Sequence, residues 1–319
     1  MCRRVWLSVA LCAGLGCSGP DFAPAMGGTS GGSGGTVGGQ PGASGTAGLP
    51  SAGGSAGEAG GMTGEAGETN AGATGTATFG NAVEWTNGCA QASTANPTTL
   101  FSASPFTVEF WLQIASGDPT WQVLLWRGGN SSSGPAGWNL ELSSAGDGSY
   151  RLQLCGKDGP DNWACVASTD ALTVGARYHL AVVRMPPGSG CVAEGMGGCA
   201  RFYMATPDGP GVFAHTEVTA AFDPDWATAE PLRLGAAGAT CNEFPTLAIM
   251  DELRIWSTAR SRSEIDDAAR EAPSCAEPGL VSYYRFDETD GTELGDCSTL
   301  GDNLFGVGEL ARVSSPFSD

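Results

Sequence analysis

Two neighbouring acids, Asp251 and Glu252, stand inside the stretch AIMDELRIWSTARSRSEID, residues 248–266. The apolar residues around them read as a β-strand. Paired carboxylates can cleave a glycosidic bond when they stand about 5–5.5 Å apart on one face. Consecutive strand residues point to opposite faces. Asp251 is therefore expected beside Ile249, Leu253 and Ile255, and Glu252 beside Met250, Arg254 and Trp256. The pair reads as architecture: Asp251 accepts backbone hydrogen bonds and Glu252 pairs with Arg254. His179, in YHLAVVR, has the chemistry of a general base, but no Ser or Cys nucleophile motif surrounds it. No Walker loop, dinucleotide fingerprint or HExxH is present.

The elements that must hold these residues are short and β-rich. FTVEFWLQ, WQVLLWR, WNLELS, YRLQLC, WACVAS, YHLAVVRM, ARFYMA, EPLRLGA, LAIMDELRIW and LVSYYRF follow one another, separated by Gly, Pro, Asp and Asn. Strands at this spacing predict an all-β antiparallel sandwich or jelly roll. In residues 106–113 the alternation puts Phe106, Val108, Phe110 and Leu112 on one face, with Thr107, Glu109, Trp111 and Gln113 on the other. One short helix is expected in STARSRSEIDDAAREA, where Ser261 and Glu264 have capping-box spacing.

Before this domain, residues 18–77 are nearly all Gly, Ala, Ser and Thr. So little apolar surface cannot offset the entropy of ordering, and a disordered linker is expected. The folded domain is expected over residues 78–319. Residues 1–17, MCRRVWLSVALCAGLGC, have two arginines, an apolar run and small residues, as an export signal does. The ending AGLGC resembles the lipobox of bacterial lipoproteins, with Gly14 where Leu is usual. The resemblance implies lipidation of Cys17 and attachment to a membrane through that lipid alone. Ser18 after Cys17 fits outer-membrane sorting, on the periplasmic or the surface side; ordinary cleavage and secretion is the alternative. The formal net charge is −19 and Lys157 is the only lysine. That disfavours a nucleic-acid partner, which needs clustered cations to neutralise phosphates, and none is expected.

Eight of the eleven cysteines follow the leader, an even number that reads as disulfides in an exported domain. Roughly a hundred connectivities are open. Cys155 and Cys165 flank a turn-rich loop, and so do Cys191 and Cys199. Cys275 with Cys297 would staple the last segment, which leaves Cys89 with Cys241 by elimination.

In order along the chain, FTVEFWLQ, RYHLAVVRM, LRLGAAG and LAIMDELRIWSTARSRSEID resemble the successive signatures of LamG-like domains, the laminin G or concanavalin A-like jelly rolls. TFGNAVEW resembles the opening strand, and GLVSYYRFDETDGTELGDCS is similar to a segment that accompanies these domains. The resemblance implies two antiparallel sheets, one of them concave. Relatives often bind Ca²⁺ in loops at the sandwich edge. Here the run after Leu234 and Gly235 keeps only Asn242 and Glu243 as oxygen ligands, with Asn130 in a loop that could lie opposite. Ca²⁺ takes roughly six to eight oxygens, so these residues alone underfill a site, and no cofactor is required. Trp111 and Trp256 match core positions of the family. Trp121, Trp126, Trp138 and Trp163 lie at strand ends or in loops, and the sequence does not choose among them as a ligand face.

The expected function is recognition of a carbohydrate or envelope protein, without catalysis, by a domain held on a tether at the cell envelope. The alternatives are a divergent glycan-active enzyme or a structural envelope protein without soluble ligand. Lipidation predicts that a metabolic fatty-acid probe tags the wild-type chain and not Cys17→Ser. Equal labelling of both chains would refute the anchor.

Overall fold

Apolar residues at every second position of Phe106–Ile114 dictate a strand with one face in the core. Phe106, Val108, Phe110, Leu112 and Ile114 all lie in the main apolar cluster. The structure, a computed structural model, describes residues 79–317 apart from 87, 93–104, 118, 129–136, 158–162, 187–197, 208–213, 220–229, 239 and 309. The leader with Cys17, the Gly-rich segment, Asn130 and Cys191 lie outside the described residues.

The described strands form two antiparallel sheets. The first contains eight, in the order β11 (Ala214–Thr219), β10 (Cys199–Ala205), β9 (Arg177–Met185), β3 (Phe106–Ile114), β13 (Ala248–Trp256), β1 (Asn81–Trp85) and β17 (Ala311–Ser314), with β14 (Leu280–Tyr284) paired to β13. The second contains nine, in the order β15 (Glu293–Leu294), β16 (Leu304–Val307), β2 (Cys89–Ala92), β12 (Arg233–Leu234), β4 (Trp121–Arg127), β5 (Trp138–Ser144), β6 (Ser149–Lys157) and β7 (Trp163–Ala167), with β8 (Leu172–Thr173) paired to β6. The fold is the expected jelly-roll sandwich. Between the sheets Phe106, Phe110, Trp85, Trp138, Leu140, Leu152 and Tyr284 share one core.

The helix α1, Arg262–Arg270, forms where the capping box places it. Ser261 accepts from the Glu264 amide at 3.3 Å, while Glu264 accepts from the Ser261 amide at 2.6 Å. Ile265, Ala268 and Ala269 are buried, at the i, i+3, i+4 spacing of one helix face. Ile265 and Ala269 join Trp111, Ala181, Val183 and Phe317 in a second apolar cluster on the outer side of the eight-stranded sheet. Thr107, Glu109 and Trp111, the polar-looking alternate of β3, are therefore no more than 5% exposed.

Three described disulfides pin the sandwich: Cys89–Cys241, Cys155–Cys165 and Cys275–Cys297. Cys199 is disulfide-bonded too. Gly235 follows β12 at φ +87°, and a Cβ there would collide with the Trp85 ring. Glycine is required on both counts.

The last segment completes both sheets: β14 and β17 in one, β15 and β16 in the other. Tyr283, Tyr284, Phe286, Leu294 and Leu304 are all 0% exposed. Each large apolar side chain fully buried contributes roughly 1.5–3 kcal/mol. Losing all five would remove about as much as the ~5–15 kcal/mol that holds a typical domain together. A chain ending at Ala276 is expected to aggregate, whereas one lacking residues 1–75 should melt cooperatively. A cooperative melt of the shortened chain near that of the whole would show that 280–317 is an appendage.

Candidate functional site

The acid-bearing strand departs from strict alternation. Asp251 pairs with Trp111 of β3 and Arg254 with Glu109, so Glu252 and Leu253 together oppose Phe110. This is a β-bulge, and Glu252 takes φ +54° to make it. The extra residue shifts the faces. Met250, Leu253 and Ile255 enter the main core, while Ile249 packs with the cluster under α1. The expected grouping of Asp251 with Leu253 and Ile255, and of Glu252 with Met250, is thus corrected by one inserted residue.

Asp251 accepts the Glu252 amide at 2.9 Å and the Ser315 hydroxyl at 2.6 Å. Arg254 Nη2 donates to Glu252 at 2.5 Å, and its Nη1 donates to the Ala268 carbonyl of α1 at 2.6 Å. The Tyr283 hydroxyl donates to Glu252 as well. Glu109 accepts from Trp256 Nε1 at 2.9 Å and lies 3.8 Å from Arg254. His179 is fully buried, with its ring 5.2 Å from that of Trp111. Burial pushes Asp251 up to about 8, the Ser315 hydrogen bond pulling it back only in part. Burial likewise raises the Glu109 carboxyl against the pull of Arg254 and Arg260, and holds His179 well below the usual imidazole range. Each of these groups is 6% exposed or less, with Arg254 tied to α1 and Asp251 to Ser315. A polysaccharide has no route to them.

The outer face of the nine-stranded sheet is different. Strand register lays Phe305, Gln91, Arg233, Trp126, Asn139, Cys155 and Cys165 in one row across it. Arg233 stacks 4.5 Å over the Trp126 ring and donates through Nε to Gln91 at 2.7 Å. Asn139 Nδ2 donates to Glu141 at 2.6 Å. Burial raises the Glu141 carboxyl, and the Asn139 hydrogen bond opposes that.

Residues 235–246 fold back onto β4 beside this row. Ala237 and Glu243 form a bridge, the Val123 amide donates to the Phe244 carbonyl at 2.9 Å, and the Thr246 hydroxyl donates to the Val123 carbonyl at 2.6 Å. The Cys89–Cys241 disulfide, with Cα atoms 5.6 Å apart, ties the same loop to β2. The result is an aromatic corner. Trp121 is 49% exposed and Phe244 45%, with ring centroids 6.4 Å apart and planes at 85°. Trp111, Trp126, Trp138 and Trp256 are all 6% exposed or less, and the side chain of Trp163 lies outside the described residues. Exposure therefore selects Trp121 among the tryptophans whose side chains are described.

Asn242 and Glu243 are exposed on the loop, where Asn242 Oδ1 accepts from the Thr240 hydroxyl at 2.7 Å. Among the described residues, no cluster of three His, Cys, Asp or Glu ligand atoms includes Glu243; the one such group is Glu141, Cys155 and Cys165.

The family model of the concanavalin A-like lectin/glucanases superfamily, Laminin_G_3, matches residues 86–266, more than half of the chain. The chain belongs to this superfamily. Among curated proteins none matches the sequence significantly. Of the solved structures, a candidate carbohydrate-binding protein from Bacteroides ovatus superposes with a TM-score of 0.52 at 19% identity. That match covers 75% of this chain and 61% of the Bacteroides protein, so the chain spans about three-fifths of that relative. A heptameric SAP-like pentraxin from Limulus polyphemus gives a TM-score of 0.47 at 11% identity, covering 75% of this chain and 97% of that one. At these identities the likeness is one of fold. Within the superfamily's sandwich, Phe244 is the site residue that sequence reasoning missed. Its signal is slight, an aromatic in the otherwise polar and small loop around Cys241.

The buried acids have a measurable consequence. Asp251 titrates near 3.8 when unfolded and near 8 when folded, so the folded state binds more protons across that window. Stability should be greatest below about pH 4 on this account and fall as pH rises towards 8, by on the order of 5 kcal/mol for a shift of this size. Asp251→Asn should flatten the slope in urea melts between these pH values without abolishing it, because Glu109 and Glu141 are also raised. An unchanged slope would mean that Asp251 stays ionised in the fold.

Proposed function

We propose that the domain is a non-catalytic carbohydrate-binding module, exported and held at the cell envelope by a lipid on Cys17 and the Gly-rich tether. The exposed Trp121–Phe244 corner carries the reading. A pyranose ring has a face of C–H groups that packs on an aromatic surface, and two rings at a right angle offer a floor and a wall. Asn242 and Glu243, exposed on the loop that bears Phe244, supply acceptors for sugar hydroxyls. The loop is held by a disulfide and by backbone hydrogen bonds to β4, so little ordering entropy is lost on binding. The absence of catalysis is supported by the acids of β13, which are buried. Calcium belongs to the proposal only as an auxiliary at Asn242 and Glu243.

A glycan array probed with and without Ca²⁺ tests both parts. Wild type is expected to bind a defined set of glycans. Trp121→Ala and Phe244→Ala should each weaken binding roughly ten- to a hundredfold, the loss of one stacked ring. Neither should move the melting temperature much, since both rings are about half exposed. A silent array, or binding indifferent to both substitutions, would dispose of the site. Release of reducing ends from any polysaccharide would reinstate an enzyme.

A further inference from the structure

On the outer face of the nine-stranded sheet, at its β5–β6–β7 end, one group of side chains is not used by the aromatic corner. Cys155 of β6 stands directly opposite Cys165 of β7, and Asn139 of β5 directly opposite Cys155. Glu141, two residues on from Asn139, turns its Oε1 to 3.5 Å from Cys155 Sγ while its Oε2 accepts from Asn139 Nδ2. The two sulfurs and a carboxylate oxygen of Glu141 all lie within 4.8 Å of one another. Asn139 is 2% exposed, and its Oδ1 has no hydrogen-bond partner among the described residues. In the structure the sulfurs are joined to each other.

We infer that the Cys155–Cys165 disulfide is the closed form of a Cys₂Glu site which, once reduced, takes a thiophilic divalent cation of the zinc class. Two thiolates and one carboxylate supply three of the four ligands that zinc takes, and their softness selects zinc over calcium or magnesium. Asn139 Oδ1 or a water fills the fourth position. Three rigid, adjacent strands hold the donors, and the Asn139 hydrogen bond orients the carboxylate from behind.

Among the three described disulfides, the burial pattern makes this the one that opens first. Cys165 is exposed, whereas Cys89, Cys155, Cys199 and Cys241 are buried and Cys275 and Cys297 half-buried. Exchange needs access for the attacking thiolate. A thiolate of an external dithiol attacks Cys165 Sγ. The Sγ–Sγ bond breaks, and its electron pair leaves on Cys155. The second thiol of the reagent then displaces Cys165 and closes the reagent to a cyclic disulfide. Two electrons enter the protein, and the two protons that came with them go to solvent when the cation binds both thiolates.

The test uses the full chain, treated briefly with dithiothreitol, desalted without oxygen and titrated with Co²⁺. The expected result is a thiolate-to-cobalt charge-transfer band that saturates at about one ion per chain and is displaced by Zn²⁺. Zn²⁺ should also slow alkylation of Cys155 and Cys165 and of no other cysteine. Glu141→Gln should weaken Co²⁺ binding about tenfold or more, and Cys165→Ser should abolish the band. Because the serine variant loses a disulfide, near-UV circular dichroism must show its fold intact, and Glu141→Gln carries the test if it is not. The inference is overturned by a reduced chain that gives no band, whether folded or not. Protection falling on other cysteines, or Co²⁺ affinity indifferent to Glu141→Gln, overturns it equally.

Discussion

Much of the eight-stranded sheet depends on the placement of one cation, the guanidinium of Arg254. It reaches Glu252 on its own strand, Glu109 on β3 and the Ala268 carbonyl near the end of α1, and it lies 5.0 Å from the ring of Tyr283 on β14. A fully buried charge with so many partners is stabilising only as a set. Removing one partner leaves the rest uncompensated, at a cost of about 3–5 kcal/mol. The bulge at Glu252 follows from this constraint, because an unbulged strand that kept Met250 in the core would turn Glu252 and Arg254 inward together and leave Leu253 outside. The strained φ of one residue thereby brings a salt bridge to the outer face and a leucine to the inner one.

The two outer faces of the sandwich illustrate two solutions to one problem. A sheet face that is partly apolar must be covered. On the eight-stranded sheet a helix does it, with Ile265 and Ala269 packed with Trp111 and Val183 in one buried cluster. On the nine-stranded sheet the loop 235–246 covers Val123 and Trp126 with Ala237. A loop has no regular side-chain direction, so it can bury Ala237 and still turn Phe244 outward beside Trp121. The disulfide to Cys89 holds it there. Irregular chain can thus bury one side chain and expose the next, as a helix face cannot.

Several elements were legible in advance for local reasons. The alternation of β3, the capping box at Ser261 and Glu264, and the short-loop pairing of Cys155 with Cys165 each rest on residues close in sequence. Short strands such as β2, CAQA, and β16, LFGV, were not legible, because neither alternates; both are strands because their neighbours in the sheet supply hydrogen bonds. The bulge was illegible for a related reason. Nothing in MDELRI marks an inserted residue until β3 sets the opposite register.

Sequence alone determined the fold class and the helix, since periodicity and local capping are written into contiguous residues, and the resemblance of its strand motifs to LamG-like domains pointed to the superfamily. It could not choose Trp121 over Trp126, which lie five positions apart on one strand, nor pair Trp121 with Phe244 more than a hundred residues away. Tertiary structure made that choice. Exposure is a property of what lies above a side chain, and here a loop from a distant part of the chain covers one tryptophan and flanks the other.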